Sequence, residues 1–154
     1  MKKSTVLSFL ALLPLVALAP RAEGALNCTF SSVTGVNFGP YDAFATSSTK
    51  QTGSISYSCT GPQGNKTMTI SLSTGSGTFT NRTLRTGSNV LNYNLYPDAA
   101  NSQAWGDGTG TTYRFSVNPV DTNVYTLTVY GTIPAGQDVG VGSYTDTITV
   151  TMNF

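Results

Sequence analysis

The sequence contains no histidine, the side chain that most enzymes use to move protons near neutral pH. Ser–His–Asp and Cys–His nucleophile systems are therefore excluded, and the commonest ligand of transition metals is missing. Paired carboxylates serve glycosidases, but all the aspartates except Asp146 lie in turn-like contexts, namely Asp42, Asp98, Asp107, Asp121 and Asp138. We expect no catalytic residue, no metal site and no cofactor, and hence a protein that is not an enzyme.

Cys28 and Cys59 are the two cysteines of the chain. Their spacing is too wide for a CxxC motif, and they lack the company of zinc ligands. In an oxidising compartment such a pair predicts a disulfide. The bridge would close a loop of about thirty residues and contribute roughly 3–4 kcal/mol in the chain-entropy model. Two free buried thiols are the alternative.

The segment WGDGTG at 105–110 places an aromatic side chain next to an acid and three glycines. A calcium loop of the EF-hand type needs several spaced acids, which are missing here. A phosphate-binding loop would need a following lysine or helix start. The pattern favours a tight hairpin turn beside a packed Trp105. A loop that contacts a ligand through Trp105 and Asp107 is the alternative.

The N-terminus has the pattern of an export signal. Two lysines precede an apolar run over 6–19, which is too short to span a bilayer comfortably. Small residues follow, and cleavage after Gly24 or Ala25 fits them best, with an uncleaved anchor as the alternative. We therefore predict a signal peptide over 1–25 and one domain over 26–154, exported through the periplasm to the cell surface without membrane insertion.

Charged residues make up 10% of the chain, and the net charge is +1. Ordinary soluble proteins have about 25% charged residues, and nucleic-acid binders normally present a basic face. We therefore expect no nucleic-acid partner. The chain is rich instead in Gly, Thr, Ser, Asn and Tyr, a composition typical of short strands joined by tight turns.

Apolar and polar residues alternate with a period of two, and no convincing helical periodicity is present. The alternating runs lie at 53–59, 68–72, 91–95, 113–117, 125–129 and 144–154, with a less regular run at 30–38. Gly- and Pro-containing turn sequences separate them. This spacing predicts an antiparallel, all-β sandwich of the immunoglobulin type.

The run at 144–154 is the most apolar of these runs. One face carries Tyr144, Ile148, Val150, Met152 and Phe154, and the other carries threonines and an asparagine. Asp146 interrupts the apolar face. We favour a position at the rim, where the carboxylate meets water or a backbone N–H, over an ion pair with Arg82, Arg85 or Arg114.

The chain ends on this apolar run, with no further strand to cover it. An immunoglobulin-type sandwich needs about seven strands. We therefore expect an incomplete sandwich that lacks its closing strand. The resulting apolar cleft and unpaired backbone groups would invite strand addition by another chain.

An ordered series of short motifs resembles the spore coat protein U family. After Cys28 the series runs VTGVNFGPY at 33–41, SYSCT at 56–60, ISLSTG at 70–75, YNLYPDA at 93–99, WGDGT at 105–109, VYGTIP at 129–134 and GSYTDT at 142–147. No single motif is specific, but the ordered set covers nearly the whole predicted domain.

The resemblance implies a surface structural or adhesive subunit. The family includes coat proteins of bacterial spores and subunits of archaic chaperone–usher pili, which serve attachment and biofilm formation. Those subunits lack the final strand of the fold. A periplasmic chaperone lends a strand first, and another subunit then replaces it. Here the acceptor residues would be Ile148, Val150, Met152 and Phe154, opposite Val36 and Phe38.

The predicted mature N-terminus departs from the pilin pattern. Cleavage near Gly24 or Ala25 leaves almost nothing before Cys28 that could serve as a donor strand. We therefore expect a subunit that accepts a strand without donating one, and hence one at a fibre end. The alternatives are a stand-alone coat or matrix protein whose first strand fills the cleft, and a carbohydrate-binding module.

Overall fold

The computed structural model describes residues 24–61 and 66–154. Residues 1–23, most of the predicted signal peptide, lie outside this part. The described residues form eight strands and no helix, so none of them forms a helix that could cross a membrane. The strands are β1 (Asn27–Thr34), β2 (Thr49–Thr60), β3 (Met68–Leu72), β4 (Arg82–Thr86), β5 (Asn89–Tyr96), β6 (Phe115–Val117), β7 (Tyr125–Ile133) and β8 (Val150–Asn153).

Two sheets of unequal width make up the fold. The wider sheet has five strands in the order β1-β2-β7-β5-β4, and the narrower sheet has three in the order β6-β3-β8. All the ladders between these strands are antiparallel. This architecture confirms the all-β, antiparallel prediction. The two faces that look at each other enclose the hydrophobic core.

The core follows the period-two pattern of the sequence. Alternate residues of β2, β3 and β5 are buried, namely Ile55, Tyr57, Cys59, Met68, Ile70, Leu72, Leu91, Tyr93 and Leu95. Cys28 and Cys59 lie directly opposite each other on β1 and β2 and form the predicted disulfide. The bridge therefore fastens the edge strand β1 to the wider sheet.

Strand β4 is the element that the apolar pattern does not predict. Its first inward residue is Arg82, whose side chain is completely buried. The guanidinium donates hydrogen bonds to the carbonyls of Ser73 and Trp105 and to Oδ1 of Asn94, at 2.6 to 3.0 Å. These acceptors compensate its desolvation, although burial still lowers the pKa of Arg82.

The segment at 144–154 is a strand only over β8. Before it, Thr145 exchanges two backbone hydrogen bonds with Arg85 of β4, the edge of the wider sheet. Four residues later, the carbonyl of Thr149 accepts a hydrogen bond from the backbone N–H of Ser73, next to β3. The chain therefore passes from one sheet to the other within this segment, which explains why the predicted strand is interrupted.

Replacing Arg82 with lysine should destabilise the fold, because an ammonium group cannot serve three separate acceptors in the planar geometry of the guanidinium. We expect Arg82→Lys to lower the free energy of unfolding by about 3 kcal/mol. Urea denaturation followed by the fluorescence of Trp105 measures this loss. The matched control is Arg85→Lys on the exposed side of the same strand, which should change stability by at most about 0.5 kcal/mol. Equal losses in both variants would contradict the role assigned to Arg82.

Candidate functional site

The outer edge of β8 faces a gap in the narrower sheet. Within the described residues β8 pairs with β3 alone, so its other edge has no strand beside it. Across the gap run the residues that follow β1, and residues 35–42 belong to no strand. We call the space between residues 33–44 and residues 139–150 the slot. It begins beside Val150, the first residue of β8, and continues beside the residues that precede this strand.

Two glycines allow the first wall of the slot to lie against the wider sheet. A Cβ at Gly53 of β2 would come within 2.5 Å of the carbonyl oxygen of Thr34. A Cβ at Gly131 of β7 would come within 2.7 Å of the side chains of Val36 and Phe38. Phe38 also packs edge-on against the ring of Tyr93. The wall therefore crosses the sheet in close contact instead of forming a strand beside β8.

The inner part of the slot is an apolar cavity of about 180 Å³. Four of the six residues that the sequence nominated as strand acceptors line it together, namely Val36, Phe38, Ile148 and Val150. Its floor comes from the inward side chains of the wider sheet and of β3, namely Ile55, Leu72, Leu84, Tyr93, Leu95 and Val129. Such a surface is suited to apolar side chains that arrive on an extended chain.

The outer part of the slot is wider, with a volume of about 1090 Å³. Val36, Phe38, Leu84 and Asp146 border both parts, so the two volumes form one continuous depression. Phe44 stands at the rim of the outer part with 94% of its surface exposed, and Val141 is fully exposed on the opposite side. Large exposed apolar side chains at the border of a depression are typical of an interaction site.

Alternate residues of the second wall line the inner part of the slot, namely Asp146, Ile148 and Val150, whereas consecutive residues, among them Tyr144, border the outer part. Oδ1 of Asp146 accepts hydrogen bonds from the backbone N–H groups of Ser76 and Thr147 and from the Ser76 hydroxyl. Oδ2 accepts a hydrogen bond of 2.7 Å from the hydroxyl of Tyr93. Burial, and then this bond, raise the pKa of Tyr93 well above its ordinary value. These contacts agree with the prediction that the carboxylate meets backbone N–H groups.

Met152 and Phe154, the other two nominated residues, do not line the slot. Met152 is half-buried and packs against the core. Phe154 lies beyond the end of β8, with 54% of its surface exposed. The alternation along β8 is as predicted, but the slot lies beside its beginning and beside the residues before it.

Trp105 and Asp107 lie apart from the slot. The indole is 1% exposed, and its N–H donates a hydrogen bond to the carbonyl of Ile70. The Asp107 carboxylate accepts hydrogen bonds from the backbone N–H and the hydroxyl of Thr109. This is the tight turn beside a packed Trp105 that the sequence favours. The ligand-contact alternative is wrong for Trp105, because a ligand could not reach the buried ring.

The sequence pattern did not nominate Leu84, Tyr144, Phe44 or Val141 as slot residues. Leu84 lies two positions after the buried Arg82, which breaks the apolar pattern. Phe44 and Val141 lie in irregular segments, where side chains do not alternate between two faces. One usable signal was present. Gly131 interrupts an otherwise regular strand, and a glycine there often marks the close approach of another piece of backbone.

Replacing Gly131 with alanine should displace the first wall, because the new methyl group would meet Val36 and Phe38 at 2.7 Å. We expect a loss of about 1–3 kcal/mol in the free energy of unfolding, measured by urea denaturation. Gly35→Ala is the matched control, since a Cβ at Gly35 in the same wall meets nothing within 4 Å. A tolerated Gly131→Ala would show that the wall is not held against the sheet at this point.

Comparison with known proteins gives two matches at the level of sequence. The family model of the Spore Coat Protein U domain matches residues 16–151. Protein U of Myxococcus xanthus is 34% identical over 146 residues, and the match covers 82% of this chain and 77% of that protein.

A solved structure shares the fold. It is the CsuC–CsuE chaperone–tip adhesion subunit pre-assembly complex from the archaic chaperone–usher Csu pili of Acinetobacter baumannii. The TM-score is 0.58 at 23% sequence identity, and the match covers 84% of this chain. It spans 40% of the solved chain. The likeness confirms the pilin-like, immunoglobulin-like sandwich.

Proposed function

Because the chain belongs to the Spore Coat Protein U domain family, we propose that it is an exported, non-enzymatic surface subunit that is completed by a strand from another polypeptide. The observation that carries the proposal is the slot beside β8. The unpaired edge of β8 and the apolar floor meet at Val150, so a strand added beside β8 could continue over the floor.

Strand addition needs backbone groups that can form hydrogen bonds and a surface that can receive side chains, and the slot offers both. The free edge of β8 offers backbone N–H and C=O groups, and the cavity receives alternate side chains of the added strand. Covering the apolar floor of the slot contributes roughly 25 cal/mol per Å² of apolar surface removed from water. The domain should therefore be less stable with the slot empty than with an added strand bound in it.

The partners we propose are a periplasmic chaperone, then the usher and a second pilus or coat subunit. In support, the solved match is a complex of a chaperone with a tip adhesion subunit in its pre-assembly state. The Cys28–Cys59 disulfide fits an exported protein, because such bridges persist in oxidising compartments. Surface attachment and biofilm formation are the roles that such a subunit would serve.

Within a fibre, the position we propose is an end. The solved match to a tip subunit supports this placement. So does Leu26, which directly follows the predicted signal peptide and is already buried in the domain core. A residue fixed in its own core is not free to enter the slot of a neighbour.

The stand-alone coat protein is the second candidate. Val36 and Phe38, which follow β1, pack on the wider sheet and cover part of its apolar face. They leave the inner cavity open beside Ile148 and Val150, so this self-covering is incomplete. A domain that unfolds cooperatively without any partner strand, and that gains nothing from one, would favour this candidate.

A synthetic strand provides the test of the acceptor role. The probe is a peptide of alternating valine and serine with an uncharged polyethylene glycol tail for solubility. At a concentration of 100 times its Kd, it should raise the free energy of unfolding by about 2.7 kcal/mol. Urea denaturation with and without the peptide measures this gain.

A charge inside the slot should abolish that gain. Val150→Asp places a carboxylate in the apolar cavity, whereas Thr151→Asp places it on the exposed face of the same strand. We expect the first variant to lose peptide binding, because burying an unpaired charge is costly, and the second to retain it. Equal binding by both variants would mean that the peptide does not enter the slot.

A further inference from the structure

Asp146 interrupts an otherwise uncharged slot. It borders both the inner and the outer part, across from Val36 and Phe38. Within the described part of the chain, no lysine, arginine or second carboxylate lines either volume. An extended strand in the slot would therefore pass one negative charge and, on the same wall, the apolar side chains of Ile148 and Val150.

The hydrogen bonds of Asp146 are unevenly divided between its oxygens. Oδ1 accepts three, from two groups of Ser76 and from the backbone N–H of Thr147. Oδ2 accepts one, from the Tyr93 hydroxyl. Oδ1 thus shares its two lone pairs among three donors, whereas one of the two lone pairs of Oδ2 has no donor.

The nearest arginines do not use this acceptor. The guanidinium of Arg82 donates its hydrogen bonds to Ser73, Asn94 and Trp105. The guanidinium of Arg85 donates a bond of 3.4 Å to the carbonyl of Ser76. A strand that enters the slot would exclude water from around Asp146, which strengthens the attraction of its carboxylate for a cation on that strand and its repulsion of an anion.

We propose that Asp146 sets the sequence of the strand that the slot accepts, by favouring lysine or arginine at the inward position that faces it. This inference rests on the proposed acceptor role. Residues on one face of a strand follow every second position, as do Asp146, Ile148 and Val150. The matching donor therefore carries apolar residues beside Ile148 and Val150 and a cation two positions further along its inward face.

A panel of peptides tests this specificity. In the valine–serine peptide, each inward valine in turn is replaced by lysine, by methionine or by glutamate. Methionine is the uncharged control for lysine, since both side chains are long and unbranched. Fluorescence anisotropy of labelled peptides gives the Kd of each peptide for the protein.

At one inward position, lysine should bind about fivefold more tightly than methionine, the size of a favourable cross-strand charge pair. At that same position, glutamate should bind about tenfold more weakly than methionine, because two carboxylates would be desolvated together. At the other inward positions, lysine should bind more weakly than methionine.

Two protein variants test whether the preference for the lysine peptide depends on Asp146. In Asp146→Asn, the lysine and methionine peptides should bind within about twofold of each other, the error of an additive pair. Asp138→Asn removes an equal charge from an exposed residue that does not line the slot, and the fivefold preference should persist. Should Asp146→Asn fail to fold, the peptide series on the unaltered protein still decides the question.

The outcomes separate the two proposals. If no peptide binds, including the unsubstituted valine–serine peptide, the acceptor role itself is overturned. If the unsubstituted peptide binds and lysine has no advantage at any inward position, the acceptor role stands and the selection by Asp146 is overturned. A lysine preference that survives in Asp146→Asn also overturns it.

Discussion

The fold is governed by a mismatch between its two layers. Five strands present an apolar inner face, and three strands with one irregular segment cover it. Apolar surface must be removed from water for a sheet to be stable. The part of the apolar face that no strand covers is therefore the place where a further strand could pack. That part is the slot, and its walls, floor and single charge follow from the way the chain runs around the gap.

A rigid frame surrounds the slot. The Cys28–Cys59 bridge fixes β1 at one edge of the wider sheet, and Arg82 joins β4 at the other edge to β5 and to the backbone at Ser73 and Trp105. Tyr93 and Asp146 connect the floor to the second wall. Arg82, Tyr93 and Asp146 are each held by several hydrogen bonds or by one short one, so the apolar opening is bordered by anchored side chains. Preorganisation of this kind lowers the cost of binding an extended chain.

The sequence predicted the fold class, the disulfide and most of the strands, because alternation and cysteine number are local signals. It grouped Val36, Phe38, Ile148 and Val150, which line one cavity in the structure, and their role as strand acceptors stays a prediction. It extended the site to Met152 and Phe154, because a period-two pattern carries no information on where along a strand a cavity opens. It missed β4, whose inward residue is a buried arginine, and the rim residues Phe44 and Val141, whose positions depend on tertiary contacts.

The second wall of the slot also affects how the domain would resist a pulling force. Residues 145–149 are bonded to β4 through Thr145 and to the end of β3 through Thr149. A strand held in the slot would therefore lie against a segment that is anchored in both sheets. Tension applied to that strand would be divided between two sets of backbone hydrogen bonds instead of peeling one edge from the domain. The crossing that interrupts the predicted strand is thus the feature through which this domain would carry load.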